Sequence, residues 1–261
     1  QEADVKAVTL DQIKAFHRRF YSAQQGQFTA VGDLDVAAVK KALEAAFGEW
    51  TVPAGGPQLF VRVPQPLVPV APARFVEVTP DKANAHLRGH LGLALSDRHP
   101  DYPALALANH IFGYGANSRL MQRIREKDGL SYDVRSVMSW SAIDENTSWE
   151  VSAIFAPQNQ PKVEAAFNEE LARSLKDGFS AADVADAQKS LLNFRRLARA
   201  QDGAVAGQLV NNLYLSRRFA LSQAVDDALA KLTAEQVNAA WRKYIEPQKL
   251  VWGWGGHFKK E

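Results

Sequence analysis

One segment of this chain occurs twice. From Thr9 and again from Thr233, at a constant offset of 224, Thr9, Gln12, Ala15, Arg18, Gln24 and Gly32 match Thr233, Gln236, Ala239, Arg242, Gln248 and Gly256. Each copy opens on Thr-x-x-Gln, a capping box in which both side chains satisfy free N–H groups at a helix start. Each continues as a helix and then a strand. A helix-to-strand unit used twice predicts two domains of one type. Residues 1–50 read as the C-terminal tail (helix–strand–helix) of a preceding domain. Residues 74–261 read as a second domain, nearly whole.

The stretch between them, 51–73, holds six of the twelve prolines: Pro53, Pro57, Pro64, Pro66, Pro69 and Pro72. Proline removes backbone donors and fixes φ, so the stretch reads as an extended linker. Before it, Gln27–Val31 is a strand candidate, and Asp35 caps a helix with Val36, Val39, Leu43 and Phe47 on one face. After it, strands are expected at 74–78, 86–95, 131–140, 148–155 and 250–254, with 131–140 and 148–155 pairing as a hairpin. Helices are expected at 104–112, 118–127, 161–176, 181–199, 204–230 with a break near Ser216, and 234–244. This is an α+β pattern.

Composition narrows the function classes. A net charge of +2 is too small to predict a nucleic-acid or anionic-membrane partner. The arginines Arg195, Arg196, Arg199, Arg217 and Arg218 read as solvated helix faces. No apolar run approaches the roughly 18 residues that predict a transmembrane helix. The start at Gln1, with no signal-peptide pattern, reads as a cut. Zero cysteines excludes disulfides, thiolate ligands and a thiol nucleophile.

No peptidase zinc motif is present. The histidines are His17, His86, His90, His99, His110 and His257, and none has glutamate beside it, so neither His-Glu-x-x-His nor its inversion occurs. His86 and His90 have helical ligand spacing but fall in a predicted strand, where four residues separate side chains by about 13 Å. No Gly-x-Ser-x-Gly elbow or glycine-rich phosphate loop appears. By itself the chain is expected to be catalytically inert and to hold no metal.

The chemistry that remains lies between Gly115 and Tyr132. Arg125 falls in the last turn of a predicted helix, Gly129 reverses the chain, and Tyr132 begins a strand. That spacing brings a guanidinium and a phenol to one rim, donors suited to a peptide carbonyl and a developing oxyanion. Structural roles stay open to both. Arg125 would complement the negative end of its helix, and Tyr132 would share an apolar strand face with Val134, Met138 and Trp140.

These residues resemble a known family. Ser118-Arg-Leu and Ile124-Arg-Glu-Lys-Asp-Gly-Leu-Ser-Tyr132 are similar to the signature of the second domain in each half of the M16 zinc metallopeptidases, which include pitrilysin, insulin-degrading enzyme and the mitochondrial processing peptidases. Asp97 to Gly113 resembles the helix preceding it. Phe20-Tyr21, Ala30-Val-Gly-Asp33 and Phe47-Gly-Glu-Trp50 resemble the junction between paired domains. The resemblance implies a LuxS/metallohydrolase-like α+β domain, with a mixed, mostly antiparallel sheet packed by helices. It implies two halves closing around a peptide substrate, with Arg125 and Tyr132 as substrate-binding residues. The partner implied is an N-terminal catalytic half or a partner subunit that carries the zinc. A non-catalytic scaffold or interaction subunit of the same fold is the alternative. Bacterial members suggest an exported, periplasmic setting.

Overall fold

The computed structural model describes residues 2–50 and 61–258. The first ten residues of the predicted linker, with Pro53 and Pro57, lie outside them. The chain divides into two compact units, Gln1–Pro64 with Ala198–Arg218, and Gln65–Leu197 with Phe219–Glu261.

The first unit holds α1 (Glu2–Ala7), α2 (Leu10–Phe20) and α3 (Val36–Phe47), together with α7 (Asp202–Tyr214). Thr9 caps α2 as its motif predicts: its Oγ1 accepts from the Gln12 amide while Gln12 Oε1 accepts from the Thr9 amide at 2.8 Å. Asp35 Oδ1 accepts from the amides of Ala37 and Ala38 and starts α3. Thr29 Oγ1 donates to the Ala206 carbonyl at 2.9 Å, which ties the segment after α2 to α7. The strand expected at Gln27–Val31 does not form. A strand needs a neighbour for its backbone groups, and no described strand pairs with this segment.

The second unit is built on one five-stranded sheet: β1 (Ala73–Val78), β2 (Ala85–Leu93), β3 (Ser131–Ser139), β4 (Thr147–Phe155) and β5 (Val251–Gly256), in the order β1-β5-β2-β4-β3. Only β1 and β5 run parallel; the other neighbours are antiparallel. On β4 every second residue is buried, from Thr147 through Trp149, Val151 and Ala153 to Phe155. That face packs on helices α4 (Tyr102–Asn109), α5 (Gln160–Lys176) and α9 (Ala234–Tyr244). Trp149 meets Trp241 of α9 edge-on at 5.6 Å, and Phe112 lies 5.0 Å from Trp241. The indole N–H groups find partners, Trp241 donating to Ser174 Oγ and Trp149 to Asn109 Oδ1, as buried tryptophans require. Gly89 of β2 gives the ring of Trp252 room: a Cβ there would lie 2.6 Å from it.

β3 is an edge strand, and its backbone is partly capped. Asn109 Nδ2 donates to the Ser136 carbonyl at 3.2 Å, removing an acceptor that an exposed edge would offer. The region predicted as helix 204–230 is α7 followed by α8 (Phe219–Lys231), broken where Ser216 takes φ 52°. Arg195, on α6 (Ala181–Ala198), departs from the solvated reading. Its guanidinium bonds the buried Asp226 and reaches Ser222, so it pins α6 to α8. From the linker, the Gln65 amide donates to Asp144 Oδ2 at 3.0 Å, and Asn146 Nδ2 donates to the Gln65 carbonyl.

Candidate functional site

The site that sequence singles out is built on two wide helical turns. α4 continues into a π-helical segment, His110–Tyr114, and after a turn at 115–118 a second, Met121–Lys127, leads to β3. The second was expected as an ordinary α-helix. Both segments are anchored in the core by Phe112, Leu120 and Ile124, all fully buried. Arg123 fastens the second from outside, through Asp128 at 2.8 Å and Glu169 of α5 at 2.8 Å.

Gly129 ends this helix with φ +60°, a conformation L side chains rarely take. The Leu130 amide bonds back to the Ile124 carbonyl and the Gly129 amide to that of Arg125, so the chain reverses sharply. β3 starts two residues later, and its pairing with β4 slips between Ser131 and Asp133. Ser131 takes the inward position, with Oγ bonded to the Ile154 and Asp133 carbonyls. Tyr132 is turned out. It is 81 % exposed, whereas Val134 and Met138 on the same strand are buried. The expectation that Tyr132 shares their apolar face therefore fails, because the bulge shifts it out of the alternation.

Arg125 and Tyr132 are brought together as the spacing implies. The guanidinium carbon stands 5.4 Å from the centre of the phenol ring, a cation–π distance. Arg125 Nε lies 3.4 Å from Glu126 Oε1, and its side chain is 44 % exposed. The pair thus presents a phenolic O–H and guanidinium N–H groups to solvent from a rigid turn.

Among the described residues no group of three or more His, Asp or Glu is placed to hold a metal ion. His86 and His90 lie on β2 as predicted, exposed on the face away from the helices. Among the described residues no helix is long and apolar enough to cross a membrane.

Sequence reasoning did not find a second polar cluster, at the other end of the Met121–Lys127 segment. It joins His110, Ser118 and Arg119 of the 110–119 turn region to Asp183 and Ser190 of α6. Arg119 Nη2 donates to the Gly178 carbonyl at 2.8 Å and to Asp183 Oδ2 at 3.0 Å, with the guanidinium over the Phe179 ring at 4.7 Å. Burial would raise the Asp183 carboxyl, but the Ser180 amide and Arg119 outweigh it and hold the group below the usual carboxylate range. The residues are 59 to 80 positions apart for their main contacts, so no local spacing signals them.

Comparison with known proteins places this architecture. A model of the peptidase M16 inactive domain matches residues 7–191. An uncharacterized zinc protease of Streptomyces coelicolor is 34% identical over 146 residues, which cover 52% of this chain and 29% of the relative. An uncharacterized zinc protease of Mycobacterium tuberculosis is 25% identical over 261 residues, 92% of this chain and 54% of the relative. The crystal structure of a peptidase M16 inactive domain from Pseudomonas fluorescens superposes with a TM-score of 0.76 at 25% identity, covering 98% of this chain and 59% of that one. The chain spans about half, or less, of the length of these curated relatives. It belongs to the peptidase M16 inactive-domain family.

Proposed function

We propose that this chain is the substrate-handling, zinc-free part of an M16 peptidase, closing with a catalytic half around a peptide. That half sits on the same polypeptide or on a partner subunit. In this reading residues 74–261 form the C-terminal-type domain, 51–73 the linker, and 1–50 the tail of a preceding domain. Uncovered apolar side chains on α2, Ile13 and Phe16 at 55% and 56% exposure, fit a tail that has a larger body to cover it.

The observation that carries the proposal is the outward Tyr132 beside Arg125. A tyrosine 81 % exposed packs almost nothing, so its position does little for the fold. The Tyr132 O–H and the Arg125 N–H groups donate to one peptide carbonyl, and both bonds strengthen as negative charge develops on that oxygen. Zinc held by the catalytic half would supply the activated water.

The test is made in the complete enzyme. Tyr132→Phe and Arg125→Ala should each lower kcat/KM by on the order of 10²-fold, the usual cost of a missing oxyanion donor. Unchanged turnover would remove both residues from substrate handling and leave the chain as a scaffold or interaction subunit of the same fold.

A further inference from the structure

A pocket of about 240 Å³ opens where β3, α4, α6 and α8 meet. Its floor is Met138 of β3 and Leu229 of α8, 8% and 1% exposed. Its walls include the half-buried rings of Tyr102 and Trp140, which meet edge to face at 4.6 Å. Its lip is Tyr114 and Phe194, 51% and 58% exposed. An aromatic lip in water above an apolar floor is surface that the fold itself leaves uncovered. Three polar side chains on the wall bond inward instead. Asn109 bonds Ser136 and the Trp149 indole, Arg195 bonds Asp226 and Ser222, and His110 Nε2 lies 3.2 Å from Ser190 Oγ.

Size, charge and wall chemistry select the guest. A cavity of roughly 150 Å³ holds a benzene molecule, so this pocket takes one aromatic side chain and is too small for a helix. The Arg195 charge is matched by Asp226, and burial lowers the His110 pKa, which keeps that ring neutral at physiological pH. A charged guest therefore finds no ionic partner on the wall. Aromatic walls favour an aromatic guest over an aliphatic one of similar size. Val137 and Met138 bring the edge strand of the sheet to the pocket, and the last residues of β3 lie beyond the Asn109 cap at Ser136. A chain extended beside an edge strand is held through its backbone and read by the pockets its side chains enter. We propose that this pocket receives one neutral aromatic side chain of a polypeptide lying along the end of β3. It stands whether or not Arg125 and Tyr132 handle substrate.

The chain has two methionines, so NMR of methyl-labelled methionine gives one signal at the pocket floor, Met138, and one control outside the lining, Met121. N-acetyl-phenylalanine amide, N-acetyl-leucine amide and N-acetyl-glutamate amide are each titrated into the full chain. The phenylalanine probe should shift Met138 saturably and leave Met121 in place. It should bind at least about threefold tighter than the leucine probe, the fold-change for one aromatic pair. The glutamate probe should not saturate. Phe194→Ala, at an exposed position, should weaken the phenylalanine probe about fivefold. Ala106→Leu, which fills the pocket from a half-buried position on α4, should abolish the probe-induced Met138 shift while the Met121 signal keeps its position. No saturable Met138 shift overturns the proposal, as does leucine or glutamate binding as tightly as phenylalanine, or binding indifferent to both variants. Toluene binding more tightly than the capped phenylalanine would assign the pocket to free aromatic molecules and overturn the polypeptide reading.

Discussion

The two copies of the repeated segment carry the same local instructions and end in different surroundings. Both Thr-x-x-Gln boxes close as drawn, at Thr9 and at Thr233. Both helices are eleven residues long, and both are followed by a short 3₁₀ turn at matching positions, Ala23–Gln25 and Pro247–Lys249. Burial then separates them. Val237, Ala240 and Trp241 of α9 are between 0% and 5% exposed, while their counterparts Ile13 and Phe16 on α2 are more than half exposed and His17 is exposed. The strand forms only in the second copy, where β5 lies between β1 and β2. Caps and turns are therefore fixed within about a dozen residues of chain, whereas a strand and a buried face need partners far away in sequence.

The sharpest test replaces each of the matched residues Trp241 and His17 with alanine. Trp241 is fully buried among Trp149, Phe112 and Phe179, with its N–H on Ser174. Trp241→Ala should cost about 3–5 kcal/mol in urea unfolding, through lost burial and the cavity left behind. His17→Ala, which loses stacking on Tyr21 and Trp50 at an exposed position, should stay within about 0.5 kcal/mol. Equal losses at the two positions would break the comparison.

A second test uses pH. At the end of α9, Lys243 Nζ and the Tyr244 hydroxyl both donate to Asp101 Oδ2, at 2.7 and 2.8 Å, joining α9 to the start of α4. The Lys243 hydrogen bond, helped by Tyr244 and opposed by burial, holds the Asp101 carboxyl below the usual carboxylate range. A carboxyl with a depressed folded pKa stabilises the fold above its unfolded pKa of about 3.9, and that contribution disappears as pH falls through the folded value. Melting temperature should therefore drop between about pH 5 and pH 3, and Asp101→Asn should flatten part of that slope while lowering the neutral-pH value. A slope unchanged by Asp101→Asn would show that the clasp contributes nothing.

Much of this was legible in the sequence, for physical reasons that differ by element. α9 runs over the predicted 234–244 because its cap and its polar–apolar period are both local. The hairpin β3–β4 was legible because β4 alternates along its whole length and β3 does so from Val134 onward. The Arg125–Tyr132 pairing was legible because a glycine turn at Gly129 fixes its geometry over seven residues. What was hidden depends on long-range register: the bulge that turns Tyr132 outward is set by β4, and the clasp of Arg195 on Asp226 by how α6 meets α8. The His110–Ser118–Arg119 cluster was hidden because its partners Asp183 and Ser190 lie on α6, more than sixty residues on.

The smallest expected effect sits at the caps, and it separates local from global stability. Thr9→Ala and Thr233→Ala remove the same bond, an Oγ1 acceptor at 3.3 and 3.4 Å from the amide three residues on. Losing such a cap costs about 1 kcal/mol of helix stability in either place. For α9 that cost falls on the global fold, since its buried face must form for the core to close, so Thr233→Ala should lower the unfolding free energy by the full amount. For α2, whose apolar face is uncovered, helix fraying is a local event of low free energy. Thr9→Ala should speed amide hydrogen exchange across residues 10–20 about fivefold and leave the urea midpoint of the sheet-bearing unit unmoved. A shift of that midpoint by Thr9→Ala would mean that the first copy is as tightly joined to a core as the second.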